Sequence, residues 1–239
     1  MNLKNKIVVI TGGTKGLGKA LASLFLNEKA KVVISARSKK ELQETKKELG
    51  IEICVGDVTK EKDMQKLANF AVKKFKKIDI WINNAGITMP YSSIEKINAK
   101  QAHKVMEVNF FGTFFGARSA IKYMAKQKYG TIVNIISIRS FVPHPRSLVY
   151  SSSKWAARGF TEALRMALKP ENISVIAVHP GGIKTNLYDK FKPRLKPSDY
   201  DNRMEPLYVA EKIVQNLKLK TPKKEIIIKK ENGLKIHFT

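Results

Sequence analysis

The stretch TGGTKGLG at residues 11–18 follows directly on the apolar run KIVVIT (6–11) and opens a helical pattern. A glycine turn between a strand and a helix is the setting that a dinucleotide site requires. Its glycines let the backbone approach a pyrophosphate, and the helix N-terminus offers free N–H groups and a positive dipole. The glycines are spaced TGxxxGxG rather than GxGxxG, so the generic fingerprint is not met to the letter. We expect a nucleotide to bind at this turn.

Short β-branched runs alternate with helical patterns along the rest of the chain. Seven runs are predicted to be buried strands: 6–11, 31–36, 51–57, 78–83, 131–137, 173–179 and 225–228. Such alternation predicts an α/β fold, a doubly wound seven-stranded parallel sheet with helices on both faces. At 239 residues, the whole of 1–239 fits one domain. Residues 187–206 are polar and interrupted by proline, and we expect them to form a loop that covers the substrate.

Composition narrows the class of protein. The chain has one cysteine, Cys54, so a disulfide framework is excluded, and we expect this residue to be a small buried hydrophobe. The N-terminus MNLKNKIVVITGG has no long apolar region followed by a cleavage site, so we expect no secretion signal, and no apolar run approaches the roughly 20 residues needed to span a bilayer. We therefore expect a cytoplasmic protein without a membrane span.

Basic residues greatly outnumber acidic ones, with 45 Lys and Arg against 20 Asp and Glu and a formal charge of +25. This excess of positive charge could bind nucleic acid, an anionic membrane surface or acidic small molecules. The lysines are spread over nearly every predicted helix, as in KKELQETKKEL, rather than gathered in one arm. Such spreading is typical of a solvated surface, so no nucleic-acid partner is expected, and a functional role for the charge stays open.

The end of the second predicted strand indicates which nucleotide binds. An acidic residue there would bind the 2′-hydroxyl of NAD, yet the chain has Ala36-Arg37-Ser38-Lys39. Arg37, helped by Lys15 in the glycine turn, can offer cationic donors to a 2′-phosphate. The alternative is that both are solvated surface charges. The missing acid favours NADP(H).

Several further motifs resemble one family. TGGTKGLG, NNAG at 83–86, Asn109, Ser137, Tyr150 with Lys154, and Pro180-Gly181 occur in the order and spacing of the short-chain dehydrogenase/reductase family, over nearly the whole chain. The resemblance implies a Rossmann-type sheet with Asp57 at the adenine, NNAG in the cofactor groove and 180–185 beside the nicotinamide. The residues so predicted to bind NADP(H) are Gly12, Thr14, Lys15, Gly16, Leu17, Gly18, Arg37, Asp57, Val58, Asn84, Ala85, Gly86, Tyr150, Lys154, Pro180, Gly181, Ile183 and Thr185. No metal site is predicted.

Tyr150 and Lys154 are four residues apart, so on a helix they share a face. A lysine cation about 4 Å from a phenol, at an effective dielectric constant of about 20, contributes on the order of 4 kcal/mol, or about three pK units before desolvation. We therefore expect Tyr150 to be the acid and Lys154 the charge that lowers its pKa. Ser137 ends the fifth predicted strand and can hydrogen-bond a substrate carbonyl.

Asn109, within a predicted helix at 100–127, resembles the family residue that holds a water for a proton relay through Lys154. Each catalytic candidate also has a plain alternative: a strand-end cap for Ser137, a polar helix residue for Asn109 and a rim aromatic for Tyr150. Arg139, His144 and Arg146 lie between Ser137 and Tyr150 and can clamp an anionic substrate, or can simply face water.

These features predict an NADP(H)-dependent oxidoreductase acting on a small-molecule carbonyl or the matching alcohol, with reduction of a ketone or aldehyde favoured. One alternative is a 3-oxoacyl reductase acting on an acidic carrier protein, which a basic surface would attract. The other is an NADP-sensing or nucleic-acid-binding protein on the same fold. The resemblance also implies a homodimer through the helices around 100–127 and 150–169, while the end of the chain lacks the glycine-rich segment that builds tetramers in many relatives.

Overall fold

A computed structural model of the chain describes residues 1–188 and 203–230. Within these ranges all seven strands join one parallel sheet in the order β3-β2-β1-β4-β5-β6-β7. The strands are β1 Ile7–Thr11, β2 Lys31–Ala36, β3 Glu52–Val55, β4 Ile80–Asn83, β5 Gly130–Ile135, β6 Ile173–Pro180 and β7 Glu225–Ile228. The predicted doubly wound α/β sheet is confirmed.

The sheet has its switch point between β1 and β4. In register, Val8 of β1 is paired with Val32 of β2 on one side and with Ile80 of β4 on the other. The chain leaves β1 in one direction across the sheet for β2 and β3, and in the other direction for β4 to β7. Open α/β sheets bind ligands outside the carboxyl ends of the strands at such a point. The glycine turn directly follows β1 and therefore lies there.

Helices cover both faces of the sheet. They are α1 Gly16–Asn27, α2 Lys39–Leu49, α3 Glu61–Phe75, α4 Ala99–Met106, α5 Gly112–Gln127, α6 Leu148–Ala167 and α7 Pro206–Lys218. Alternate residues of β1 face opposite layers: Val8 packs with residues of α1, α2 and α7, whereas Val9 packs with residues of α3 and α5. This arrangement explains why the strand sequences are apolar without alternation, because both faces are buried.

The predicted helix at 100–127 is present but not uniform. A π-helical turn, Glu107–Phe111, joins α4 to α5, and Asn109 lies in its middle. Cys54 is buried as predicted, and burial raises the pKa of its thiol.

Part of the predicted substrate loop can be placed. Asn186–Tyr188 forms a short 3-10 turn, Ile183 pairs with Met204, and α7 begins at Pro206. The remainder, residues 189–202, lies outside the described residues. No helix within 1–188 and 203–230 is both long and apolar enough to cross a bilayer. In the same part of the chain, His, Cys, Asp and Glu side chains do not gather into a group able to hold a metal ion.

Candidate active site

The glycine turn has backbone geometry that side chains would disrupt. Gly12 and Gly16 have φ angles of +67° and +50°, in the left-handed region that favours glycine. A Cβ added to Gly18 would lie 2.2 Å from the carbonyl oxygen of Gly12, so the turn and the start of α1 meet too closely for any side chain. The glycines therefore form a tight strand-to-helix turn, although their spacing differs from the generic GxGxxG pattern.

Asn84 holds this turn against the end of β4. Its Nδ2 donates to the carbonyl oxygens of Thr11 at 2.9 Å and Gly12 at 3.1 Å. The backbone N–H groups of Asn84 and Ala85 each donate to Thr11 Oγ1 at 3.1 Å. The NNAG segment thus fixes the two strands that flank the switch point, and the Asn84 side chain shapes the turn.

The start of α1 fits an anionic ligand. Lys15 is its N-cap residue but makes no side-chain capping bond, and the first turn has no acidic residue. The first N–H groups of a helix have no intrahelical partners, so these can donate to a pyrophosphate. Leu17 is buried beneath the turn. Thr185 packs against the glycine turn: a Cβ added to Gly16 would lie 2.9 Å from the Thr185 methyl carbon.

The nicotinamide side of the predicted cofactor groove begins at the end of β6. Pro180 is the last residue of that strand, and Gly181 N–H donates to the carbonyl oxygen of Ile228 at 2.8 Å. Ile183 and Thr185 follow and return the chain toward the glycine turn. The predicted residues 180–185 therefore bridge the carboxyl end of β6 and the start of α1.

Glu41 is a site residue that the sequence reasoning missed. One of its carboxylate oxygens lies 2.8 Å from Lys15 Nζ, and the other accepts a hydrogen bond from Thr14 Oγ1 at 3.1 Å. The hydrogen bond from Lys15 is the largest influence on Glu41 and lowers its pKa; desolvation opposes this effect, and Thr14 and the charges of Lys15 and Arg37 lower the pKa further. The cations expected to bind a 2′-phosphate therefore face a carboxylate.

Asp57 and Val58 follow β3, where the resemblance predicts the adenine. Asp57 Oδ1 accepts hydrogen bonds from Thr59 N–H at 3.0 Å and Thr59 Oγ1 at 2.9 Å, so the carboxylate closes its own turn. Val58 packs closely on α5, since a Cβ on Gly112 would lie 2.9 Å from its Cγ2. These contacts fix the wall on which the resemblance places the adenine.

Tyr150 and Lys154 share a face of α6, as their spacing predicts. The Lys154 ammonium lies 5.8 Å from the centre of the Tyr150 ring and donates to the carbonyl oxygen of Ile135 at 3.2 Å. Ile135 is the last residue of β5, so the ammonium is fixed at the carboxyl edge of the sheet. Lys154 is buried, and this burial lowers its pKa to about 8.

Ser137 lies two residues beyond the end of β5. It is buried, and its Oγ accepts a hydrogen bond from Arg139 N–H at 3.1 Å. Accepting this bond leaves the hydroxyl hydrogen able to donate to another group. Ser137 and the Lys154 ammonium are thus both held at the end of one strand, with Tyr150 on the adjacent helix.

Asn109 uses the π-helical turn to face the NNAG segment. Its Oδ1 accepts from Ile87 N–H, and its Nδ2 donates to Ile87 O and to Ser153 Oγ, each at 2.9 Å. These bonds use both amide hydrogens. Gly86 lies between this side chain and the ammonium of Lys154, because an added Cβ would be 3.4 Å from Asn109 Oδ1 and 3.6 Å from Lys154 Nζ.

The three predicted substrate residues, Arg139, His144 and Arg146, lie in the connection between Ser137 and Tyr150. The His144 ring stacks on Tyr91 with centroids 4.9 Å apart, and the Arg146 guanidinium lies 5.9 Å from the same ring. Desolvation lowers the pKa of His144, and the nearby charges of Arg139 and Arg146 lower it further. The arrangement is therefore two arginine cations around a histidine whose neutral form is favoured.

Comparison with models of protein families identifies the family of this chain. The short chain dehydrogenase model matches residues 6–196, which include the glycine turn, Ser137, Tyr150 and Lys154. The chain belongs to the short-chain dehydrogenase family. An uncharacterized oxidoreductase of Staphylococcus saprophyticus is 35% identical over 221 residues, covering 89% of each chain. An uncharacterized oxidoreductase of Listeria monocytogenes is 34% identical over 196 residues, covering 79% of each.

Solved structures agree on the fold. A 3-ketoacyl-(acyl-carrier-protein) reductase from Brucella melitensis, complexed with NADH, superposes with a TM-score of 0.83 at 27% identity, covering 89% of this chain and 90% of that one. An alcohol dehydrogenase from the archaeon Thermococcus sibiricus, complexed with 5-hydroxy-NADP, has a TM-score of 0.83 at 23% identity, covering 96% and 98%. At that identity the second likeness concerns the fold alone.

Proposed function

We propose that the protein is an NADP(H)-dependent oxidoreductase that interconverts a carbonyl compound and the corresponding alcohol, with reduction of a ketone or aldehyde as the favoured direction. The observation that supports this most strongly is the buried Lys154 ammonium, bound to Ile135 O and 5.8 Å from the Tyr150 ring. A protein that only bound a nucleotide would gain nothing from burying a lysine against a tyrosine beside a strand-end serine.

The residues then have separate tasks in reduction. The nicotinamide, when bound, supplies the hydride from its C4 atom. Ser137 donates its hydroxyl hydrogen to the substrate oxygen and stabilises the negative charge that develops there. Tyr150 gives its phenolic proton to that oxygen, which yields the alcohol. Lys154 stabilises the phenolate left behind, because opposite charges attract strongly where water is excluded.

Asn109 has a positioning role in this scheme. Its bonds to Ile87 fix the NNAG segment, and its bond to Ser153 ties that segment to the helix that carries Tyr150 and Lys154. The remaining acceptor capacity of Oδ1, on the side of Gly86, is available for the water of the expected proton relay.

The choice of NADP(H) rests on Lys15 and Arg37. Both can donate to a 2′-phosphate, and a phosphate carries more negative charge than the Glu41 carboxylate that now pairs with Lys15. A bound 2′-phosphate would compete with Glu41 for Lys15 and would be repelled by the nearby carboxylate. NADH has no such phosphate and leaves the pair intact. Glu41 therefore lowers, without abolishing, the preference for NADP(H).

The substrate is proposed to be anionic. Arg139 and Arg146 lie close enough to His144 to lower its pKa, so the mouth of the site carries concentrated positive charge. A carboxylate or phosphate on the substrate would be attracted there. A second candidate is reduction of a 3-oxoacyl group on an acidic carrier protein, which the charge of +25 would favour; it draws support from the name of the Brucella melitensis neighbour.

A homodimer through α4, α5 and α6 is also proposed. Phe111, in the π-helical turn between α4 and α5, is 43% exposed, and Trp155 of α6 is 48% exposed. Phe111 belongs to a cluster of aromatic rings in which Phe110 and Phe114 pack against Phe160 of α6. Large exposed apolar side chains on adjacent helices favour association with another surface.

Oxidation of NADPH in the presence of a panel of ketones and aldehydes tests the proposed function. We expect turnover with at least one class of carbonyl compound and less with NADH. Absence of turnover across the panel, together with salt-dependent binding to nucleic acid, would instead support a binding protein on this fold.

A further inference from the structure

His179 is a buried histidine that the catalytic scheme does not use. It lies near the end of β6, with no exposed surface, and its ring is sandwiched between the turn after β5 and the start of β7. Its Nδ1 lies 2.8 Å from Ser140 Oγ. Its Nε2 lies 3.1 Å from Glu225 Oε1, but the two atoms are not aligned for a hydrogen bond, and neither has a hydrogen-bond partner within the described residues.

The Ser140 end of this group contacts the backbone of Ser137. Ser140 Oγ lies 2.7 Å from the Ser137 carbonyl oxygen, and Ser140 N–H donates to the same oxygen at 3.0 Å. His179 Nδ1 is 3.3 Å from it. The carbonyl of the candidate catalytic serine is therefore held by several polar groups that are all buried.

The Glu225 end contacts the helix of Tyr150 and Lys154. Arg158 of α6 has its Nε 3.6 Å from Glu225 Oε1, and its guanidinium lies 3.7 Å above the Phe141 ring. Arg158 also donates to the carbonyl oxygen of Ser140 at 3.3 Å. The network thus joins the Ser137 turn, β6, β7 and α6, which are the elements that set the distance between Ser137 and Tyr150.

His179 is neutral at physiological pH, as a buried hydrogen-bonded ring should be. Desolvation lowers its pKa to about 4, so the ring is neutral at physiological pH. The Ser140 hydroxyl donates its one hydrogen to the Ser137 carbonyl oxygen, so the neutral ring carries its hydrogen on Nδ1 and donates it to Ser140 Oγ. The order serine, histidine, carboxylate is that of a nucleophilic triad, but Ser140 is fully buried and no substrate can reach it.

We propose that Ser140, His179 and Glu225 form a positioning network that holds the hydroxyl of Ser137 in place for the reaction. This inference rests on the proposed function for its kinetic consequence. The network acts through the backbone of Ser137 and touches neither substrate nor cofactor.

The test compares His179→Leu, His179→Asn and Ser140→Ala with the wild type, with kcat, KM for the carbonyl and Kd for NADPH measured separately. We expect the leucine and alanine variants each to lower kcat by about tenfold to a hundredfold, since a misplacement of about 1 Å is that costly. Kd for NADPH should stay within about twofold. The asparagine variant retains an amide donor near the position of Nδ1 and should recover most of kcat.

Two further comparisons separate positioning from stability. The double variant His179→Leu/Ser140→Ala should lose no more kcat than either single variant, because both remove one coupled unit. The control is Asn216→Ala on α7, a buried polar residue that binds both backbone groups of Lys223 just before β7. It should lower Tm while leaving kcat unchanged.

Hydrogen exchange provides a readout that needs no turnover. The amides of Ser140 and Phe141 donate within the turn at 3.0 Å each. Their exchange should accelerate in the leucine and alanine variants but not in Asn216→Ala, even if no tested carbonyl is reduced and the proposed function fails. Lowered Tm with unchanged kcat and unchanged exchange in His179→Leu and Ser140→Ala would overturn the proposal.

Discussion

The Lys154 ammonium lies 3.2 Å from the carbonyl oxygen of Ile135, at the carboxyl end of strand β5. This hydrogen bond holds a cation at the sheet edge where Ser137 follows two residues later. The same burial that fixes the ammonium lowers its pKa to about 8. Lys154 is therefore charged at neutral pH, but its charge is lost within the range in which an enzyme can be assayed.

Carbonyl reduction should decline as the pH rises through about 8, because Lys154 must be charged to stabilise the phenolate of Tyr150. A lysine with an unshifted pKa would retain its charge to a much higher pH. The measurement is kcat/KM against pH in wild type and in Lys154→Arg. Arginine stays charged, so whatever activity that variant keeps should decline only at higher pH. An identical decline in both proteins would contradict the assignment.

Glu41→Gln should raise the preference for NADPH. The substitution removes a carboxylate that pairs with Lys15 and repels a 2′-phosphate, so KM for NADPH should fall by roughly threefold to tenfold while KM for NADH does not fall. The matched control is Glu48→Gln on the same helix, whose carboxylate pairs with Lys19 at 2.6 Å. A gain for both cofactors, or an equal gain in the control, would show that Glu41 does not select between them.

Acid stability should depend on His179. Its pKa in the folded protein is about 4, below the ordinary value of 6.5, so between these values the unfolded chain binds more protons than the folded one. The free energy of unfolding should therefore fall as the pH is lowered from 6.5 to 4, by about 3 kcal/mol for this residue. His179→Asn should flatten this part of the curve, whereas His103→Gln, which replaces an exposed histidine, should not. Denaturant titrations across the pH range measure the slopes, and equal slopes in wild type and His179→Asn would refute the prediction.

Arg139→Ala should discriminate between substrates. If its charge attracts an anionic group, the variant should lose about tenfold more kcat/KM with an acidic ketone than with a neutral ketone of the same size. Arg118→Ala is the control, since Arg118 pairs with Glu61 on α3, away from this cluster. Equal losses for the acidic and neutral ketones would sink the idea of an anionic substrate.

The sequence was sufficient for the sheet and for the relative position of Tyr150 and Lys154. Buried strands of a parallel sheet are apolar throughout, so runs such as KIVVIT are visible without knowledge of their neighbours. The separation of Tyr150 and Lys154 is a local helical property and placed both on one face of α6. Strand ends were less accurate: the run 51–57 was predicted as strand, but β3 ends at Val55 because Asp57 N–H bonds to Asp63 Oδ2 at 2.9 Å.

Contacts between distant parts of the chain could not be predicted. Glu41 meets Lys15 only because α2 packs beside the glycine turn, and the sequence around either residue gives no sign of it. His179 and Glu225 belong to adjacent strands that are far apart in sequence. The π-helical turn that aims Asn109 at Ile87 interrupts an otherwise regular helical pattern. In each case tertiary packing sets the geometry, and the local periodicity of the sequence does not predict it.

Tyr150→Phe tests the central claim most directly, because it removes only the phenolic hydroxyl from α6. The measurement is the rate of NADPH oxidation with the best carbonyl substrate, alongside Kd for NADPH and with Tyr129→Phe, at the opposite end of β5, as control. We predict that Tyr150→Phe lowers kcat by at least about a hundredfold with Kd nearly unchanged, while the control retains full activity. Turnover by Tyr150→Phe equal to that of the wild type would contradict the account.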